Sequence, residues 1–167
     1  MALARAYPRA HVIGLDLDAD SIAQARLNAE QAGLADRVAF DLGDAANLSL
    51  PGTFELVVAF ETLHDMARPV QALEGMRRLA GSQGVVLIAD ERVADSFVAP
   101  GDEIERLCYG FSVLHCLPAS LAEQPSAAIG TVLRAPTLRV LAESAGFRSV
   151  QVLPIQNDFW CFYRLNP

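Results

Sequence analysis

At 167 residues, 52% of them hydrophobic, the chain has the length and apolar content of one folded, soluble domain with its own core. Its net charge is −7 and its pI near 4.8, and all 13 basic residues are arginine. That balance argues against nucleic acid or a membrane surface as a direct partner of this segment, and the absence of lysine excludes Schiff-base chemistry and a phosphate-loop lysine. Cys108, Cys116 and Cys161 are odd in number and lack paired metal-ligand spacing, so reduced thiols and a cytoplasmic location are expected. No apolar run has the length of a membrane span or of a secretory signal.

In chain order, "HVIGL" is a short strand ending on Asp16, and Ile22, Ala25, Ala29 and Ala32 then recur at helical spacing. Asp20 or Ser21 is the expected cap of that helix and Gly33 its stop. "RVAFD" is the second strand, and "FELVVAF" the third, after the turn "LPGT". A helix starts near Pro69 with Val70, Leu73, Met76 and Ala80 on one face and leaves at Gly81. "VVLIAD" is apolar enough for a strand buried on both faces. This alternation implies an α/β fold with a mostly parallel sheet covered by helices. The last third changes character. "DEIERLCYGFSVLHCLP" reads as a helix ending at Pro118, "SLAEQPSAAIGT" as a loop, and "PTLRVLAESAGF" as a helix with Leu138, Leu141 and Ala145 aligned. "SVQVLPI" and "FWCFYRL", separated by "QND", form an expected antiparallel hairpin.

Four acidic motifs fall at or just beyond the carboxyl ends of these strands, the edge at which open α/β sheets bind ligands. Asp16 ends the first, and a carboxylate there can accept two hydrogen bonds from a ribose diol. "GDAANL" follows the second, where the Asp44 carboxylate and Ala45 amide can read the edge of an adenine. "FETLHD" ends the third and "ADERVAD" the fourth. Each has a plainer reading. Asp16 can be a helix-entry acid, Asp18 and Asp20 capping or solvated residues, Asp44 a turn former, and His64 a buried or capping histidine. Tyr109 and His115 sit on a helix where packing is the default. No His and carboxylate pair has the spacing of a metal site, and no Gly-x-Ser-x-Gly turn is present.

Taken in order, these motifs resemble the class I S-adenosylmethionine-dependent methyltransferases over essentially the whole chain. The resemblance implies a Rossmann-like methyltransferase sheet, a single catalytic domain over 1–167 and S-adenosyl-L-methionine as cofactor. It matches Asp16, with Leu17 beside it, to the ribose site, and Asp44 with Ala45 to the adenine site. Phe60 and Glu61 would border the methionine portion. His64 follows the third visible strand, where the resemblance makes it the better of two candidate bases, and His115 is a substrate-pocket candidate. Asp65 can help to orient His64 only weakly, because neighbouring residues on a helix point in different directions. "YGFSVLHCLPASLAE", "GTVLRAPTLRVLAESAGF" and "LPIQNDFWCFYRL" look like the carboxyl-terminal half of bacterial methyltransferases carrying an amino-terminal winged-helix domain, through which a homodimer is implied.

One departure is large. The family's first strand and its Gly-rich loop have no counterpart here, so the expectation is an amino-terminally truncated domain that binds cofactor weakly, tends to associate and is of doubtful activity. In the intact family the expected reaction is methyl transfer to a small-molecule acceptor. The competing readings are a non-catalytic methyltransferase-like remnant or interaction module and, further off, an NAD-dependent oxidoreductase.

Overall fold

The computed structural model describes residues 1–167, and internal contacts divide them into two compact units, Met1–Leu48 and Ser49–Pro167. No helix is long and apolar enough to cross a membrane.

The first unit contains α1 (Ala2–Ala6), β1 (Val12–Asp16), α2 (Ala19–Gln31) and β2 (Val38–Leu42). β1 and β2 pair in parallel, from Val12 opposite Val38 to Asp16 opposite Leu42. Such a pair needs a crossover, and α2 supplies it. The small core is Ala4, Ala29, Leu34 and Val38, with Val12, Ala32 and Phe40 packed against it. The cap of α2 is Asp18, rather than Asp20 or Ser21: its carboxylate accepts the Ser21 N–H at 2.7 Å. A side chain at that position reaches the third amide of the helix, whereas Asp20 and Ser21 lie already inside the first turn. Gly33 follows the helix at φ +66°, a left-handed exit that favours glycine.

The second unit runs through β3 (Leu56–Phe60), α3 (Pro69–Ala80), β4 (Val85–Glu91), α4 (Glu103–Phe111), α5 (Leu117–Ala122), α6 (Ala135–Ser144), β5 (Ser149–Val152) and β6 (Trp160–Asn166). Its sheet has the order β3-β4-β6-β5. β3 and β4 are parallel, while β6 is antiparallel to both β4 and β5. The α/β class with an antiparallel carboxyl end is therefore as expected. Strand alternation sends Val57, Ala59, Val86, Ile88, Tyr163 and Leu165 to the face packed with Leu73, Met76 and Ala80 of α3 and Leu138 and Ala142 of α6. Leu56, Val58 and Phe60, on the alternate positions of β3, remain exposed, and β3 is an edge strand.

Two further local expectations are corrected. The helix beginning near residue 102 does not stop at Pro118. It widens into a π-helical turn at Ser112–Cys116, in which the Leu117 amide donates to the Ser112 carbonyl, and continues as α5 through what was read as the start of a loop. Proline has no N–H for an i−4 partner and its ring crowds that carbonyl, so a wider turn relieves the clash without ending the helix. The link between β5 and β6 is longer than "QND", because β5 stops at Val152. Pro154 cannot donate to the ladder, although the Leu153 amide still reaches the Phe162 carbonyl at 2.8 Å.

Two contacts hold the second unit in register. Gly84 enters β4 where a Cβ would lie 2.3 Å from the Phe54 carbonyl oxygen and 2.5 Å from that of Ala80. Arg134, just before α6, pairs with Glu105 of α4, which is 2% exposed, and also donates to the Tyr109 hydroxyl at 2.9 Å. Gly84→Ala is expected to cost roughly 2–4 kcal/mol of stability by urea denaturation, since backbone must move. Arg134→Met, which strands a buried carboxylate, is expected to cost about 3–5 kcal/mol, and Glu105→Gln on the same background to recover part of it.

Candidate functional site

The carboxyl end of β3 turns sharply. Phe60 closes the strand, Glu61 adopts φ +53° with its amide on the Ala89 carbonyl at 2.9 Å, and Leu63–Asp65 form a 3₁₀ turn. A non-glycine residue in the left-handed region is uncommon and marks a position fixed by its surroundings. The turn drives His64 inward, to 3% exposure. There it meets the end of β4, which extends past the register of β3 to Asp90 and Glu91.

His64 Nδ1 lies 2.8 Å from Asp90 Oδ1, which also accepts the Glu91 amide at 3.1 Å. Glu91 Oε2 is 3.3 Å from the same Nδ1, and Asp65 Oδ1 is 3.3 Å from Nε2, but neither oxygen makes a hydrogen bond. Burial alone would depress the imidazole pKa. The hydrogen bond to Asp90 and the charges of Asp90, Glu91 and Asp65 outweigh that effect and push it up to about 10. Glu91 moves from the usual carboxylate range to about 9, through burial first and then the neighbouring Asp90. At neutral pH the cluster therefore holds a cationic imidazole, an Asp90 acceptor and a neutral Glu91.

These groups form one wall of a cavity of about 380 Å³. The opposite wall comes from α4 and its π-helical extension, with Ile104, Leu107, Cys108, Phe111 and Cys116; Thr131, Phe159 and Trp160 complete it. The widened turn rotates Ser112 and Cys116 inward, and the Thr131 amide donates to Ser112 Oγ at 3.1 Å. Cys108 is a neutral thiol, its pKa raised to about 11 by burial and by the nearby carboxyls, Glu91 first.

The expected site residues divide between the two units. Asp16 is exposed at the end of β1, its Oδ1 accepting the Asp18 amide at 2.9 Å, and Leu17 beside it is exposed. Asp44 stands two residues past Leu42, the ladder partner of Asp16, and its Oδ1 accepts the Ala46 amide at 2.8 Å as the turn starting at Ala45 begins. In the second unit His64 and Glu61 line the cavity, and Phe60 lies exposed just before Glu61. His115 does not join them: the π-helical turn leaves it exposed and outside the cavity lining.

Asp90 and Glu91 were missed as partners of His64. Their signal was present as the acid pair ending "VVLIADE", but 26 residues separate Asp90 from His64 and only strand pairing joins them. Ligand-type atoms of His64, Asp90 and Glu91 lie within 4.8 Å of one another, as do those of His64, Asp65 and Cys116. In the first group, a ring nitrogen that donates its N–H to Asp90 cannot also offer a lone pair to a metal, so the observed geometry is that of a hydrogen-bonded cluster.

A family model described as a methyltransferase domain matches residues 1–135, and the chain belongs to that family. Over 38 residues it is 55% identical to an uncharacterized RNA methyltransferase of Parasynechococcus marenigrum (strain WH8102), a match covering 23% of this chain and 8% of that protein. The fold is that of solved methyltransferases. The S-adenosylmethionine-dependent methyltransferase SibL superposes with a TM-score of 0.77 at 20% identity, covering 99% of this chain and 46% of that one. An O-methyltransferase family protein from Burkholderia thailandensis gives 0.74 at 18% identity, over 98% and 46%. An O-methyltransferase from neocarzinostatin biosynthesis, solved with S-adenosyl-L-homocysteine and 1,4-dihydroxy-2-naphthoic acid, gives 0.71 at 22%, over 99% and 44%. The chain thus spans about half the length of these solved relatives.

The raised pKa values of Glu91 and His64 make stability fall with rising pH. A folded-state pKa above the unfolded one contributes stability that is complete below the unfolded value and lost as pH rises through the folded value. For Glu91 that window runs from 4.5 to about 9, and for His64 from 6.5 to about 10. The melting temperature is expected to drop by more than about 5 °C between pH 6 and 10. Glu91→Gln, which keeps a neutral group in place, is expected to become more stable than the parent by a margin that grows from pH 5 to 9. Parallel melting curves across that range would exclude this role of Glu91.

Proposed function

We propose that residues 1–167 form a catalytic domain that transfers a methyl group from S-adenosylmethionine to a small-molecule acceptor. The observation that carries the reading is the cavity at the carboxyl ends of β3 and β4, where Asp90 fixes an imidazole beside apolar walls. Membership of the methyltransferase family and the cofactor products seen in its solved relatives support the cofactor.

The residues assigned to the nucleoside lie in the first unit. Asp16 is an exposed carboxylate at a strand end, oriented by the Asp18 amide, with its second oxygen available to a ribose diol. Asp44, on the adjacent strand's exit, is held by the Ala46 amide, and Ala45 offers a backbone amide to an adenine edge. In the second unit, Phe60 and Glu61 are assigned to the methionine portion, Glu61 being set by its left-handed backbone. When bound, S-adenosylmethionine supplies an electrophilic methyl carbon for in-line transfer.

His64 handles the acceptor's proton. With Nδ1–H donated to Asp90, Nε2 is the nitrogen left to face a nucleophile, and Asp90 holds the ring against rotation. The nearby carboxyls, Asp90 first, keep the imidazole charged at neutral pH, so it favours a deprotonated, anionic acceptor there. It becomes a proton acceptor as pH rises toward 10. Asp90 is a positioning residue in this scheme.

The test is heat protection of the chain. S-adenosyl-L-homocysteine at about 1 mM is expected to raise the melting temperature by a few degrees while NAD leaves it unchanged. Asp16→Ala is expected to remove the protection with little change in the unliganded melting temperature. Protection by NAD instead, or protection that survives Asp16→Ala and Asp44→Ala together, would defeat the assignment.

A further inference from the structure

The 3₁₀ turn Leu63–Asp65 and the π-helical turn Ser112–Cys116 both contribute to the cavity wall, and together they gather three side chains of metal-ligand type. Ligand atoms of the His64 imidazole, the Asp65 carboxylate and the Cys116 thiol lie within 4.8 Å of one another, and all three residues line the cavity. His64 Nε2 is 3.3 Å from Asp65 Oδ1. A nitrogen and an oxygen set roughly 2.0–2.1 Å from a tetrahedral zinc ion stand about 3.3 Å apart, so this edge already has the length a zinc ion needs.

The ring is prepared for such a role from behind. Its Nδ1 lies 2.8 Å from Asp90 Oδ1, and an N–H given to a carboxylate fixes the tautomer in which Nε2 carries a ligand lone pair. Asp65 adds an observation independent of the ring: its Oδ1 is shut from solvent and makes no hydrogen bond. A carboxylate oxygen in that state lacks a donor or a cation. Cys116 is itself buried and forms no disulfide. Glu61 and Glu91 also line the cavity, no arginine does, and the chain has no lysine, so His64 is the one basic side chain in the wall.

We propose that His64, Asp65 and Cys116 form a zinc site, in which Nε2, a carboxylate oxygen and the thiolate hold the ion and its fourth position opens into the cavity. Sulfur, imidazole and carboxylate together suit Zn²⁺, whereas Mg²⁺ and Ca²⁺ take oxygen ligands. Binding forms one Zn–N, one Zn–O and one Zn–S bond, and the protons of Nε2 and of the thiol leave to solvent. Three protein ligands with one open position put any occupant of the cavity beside the ion. The site stands without the methyl-transfer reading, but one consequence rests on that reading: an ion on Nε2 takes the nitrogen that handles the acceptor's proton, so Zn²⁺ holds the domain inactive.

Cobalt(II) is the probe, because tetrahedral Co²⁺ absorbs strongly in the visible and a thiolate ligand adds a near-ultraviolet charge-transfer band. The reduced, metal-stripped chain is expected to take up one Co²⁺ with both features. Zn²⁺ is expected to displace it with a Kd below about 10 µM, and Mg²⁺ to leave it in place. Cys116→Ser should abolish the charge-transfer band, and Asp65→Asn should weaken Zn²⁺ binding at least about tenfold. The double variant Cys108→Ser/Cys161→Ser leaves Cys116 as the sole thiol and should keep the band, which decides the ligand even where Cys116→Ser fails to fold. No uptake by the parent chain, a weak octahedral spectrum, a band that survives Cys116→Ser, or its loss from a folded double variant overturns the site. Melting curves with S-adenosyl-L-homocysteine on the same samples separate the two readings. Protection without metal uptake defeats the zinc site alone, and metal uptake without protection keeps the site while defeating methyl transfer.

Discussion

The hydrogen bond from His64 to Asp90 is the constraint around which the second unit's chemistry is organised. Asp90 is wholly buried, on the sheet face that packs against the helices, and a carboxylate taken from water must find donors there. It finds two, the imidazole and the Glu91 amide. The imidazole can reach it only because β3 ends early and the backbone at Glu61 bends into the left-handed region. The extended β4, the turn after β3 and the orientation of the ring are thus parts of one arrangement.

That arrangement has an electrostatic consequence. One imidazole cannot satisfy four carboxyls, and the excess appears as a neutral, raised Glu91 and a strongly basic His64. Sites that perturb ionisable groups in this way are usually sites that handle charge in a ligand. The cavity's far wall matches that role from the apolar side. The π-helical turn, produced where Pro118 denies the helix a donor, brings Cys116 and Ser112 inward and leaves Val113, Leu114 and His115 outside.

The fold was legible in the sequence because it is written in local patterns. Buried strands such as "VVLIAD" are continuous apolar runs, and α3 shows its apolar stripe at helical spacing. The errors were local too. The cap of α2 moved by two or three residues, and the hairpin link lengthened at Pro154, where a missing donor ended β5. Asp16, Asp44 and His64 could be named because each follows a strand, the position at which such folds collect ligands. Asp90 and Glu91 stood in the same kind of position, yet nothing in their neighbours tied them to His64.

What the sequence determined by itself was the class of fold, the order of its elements and the acids at strand ends, since periodicity and turn chemistry act within a few residues. What only the tertiary structure decided was which of these groups meet. Asp65 adjoins His64 on the chain yet makes a contact without a hydrogen bond, and helix geometry turned His115 to solvent. Parallel pairing of β3 with β4 instead placed His64 on Asp90 and created the charge excess of the cavity. Ionisation depends on burial and on distances of a few ångströms, and both are set by packing across the sheet.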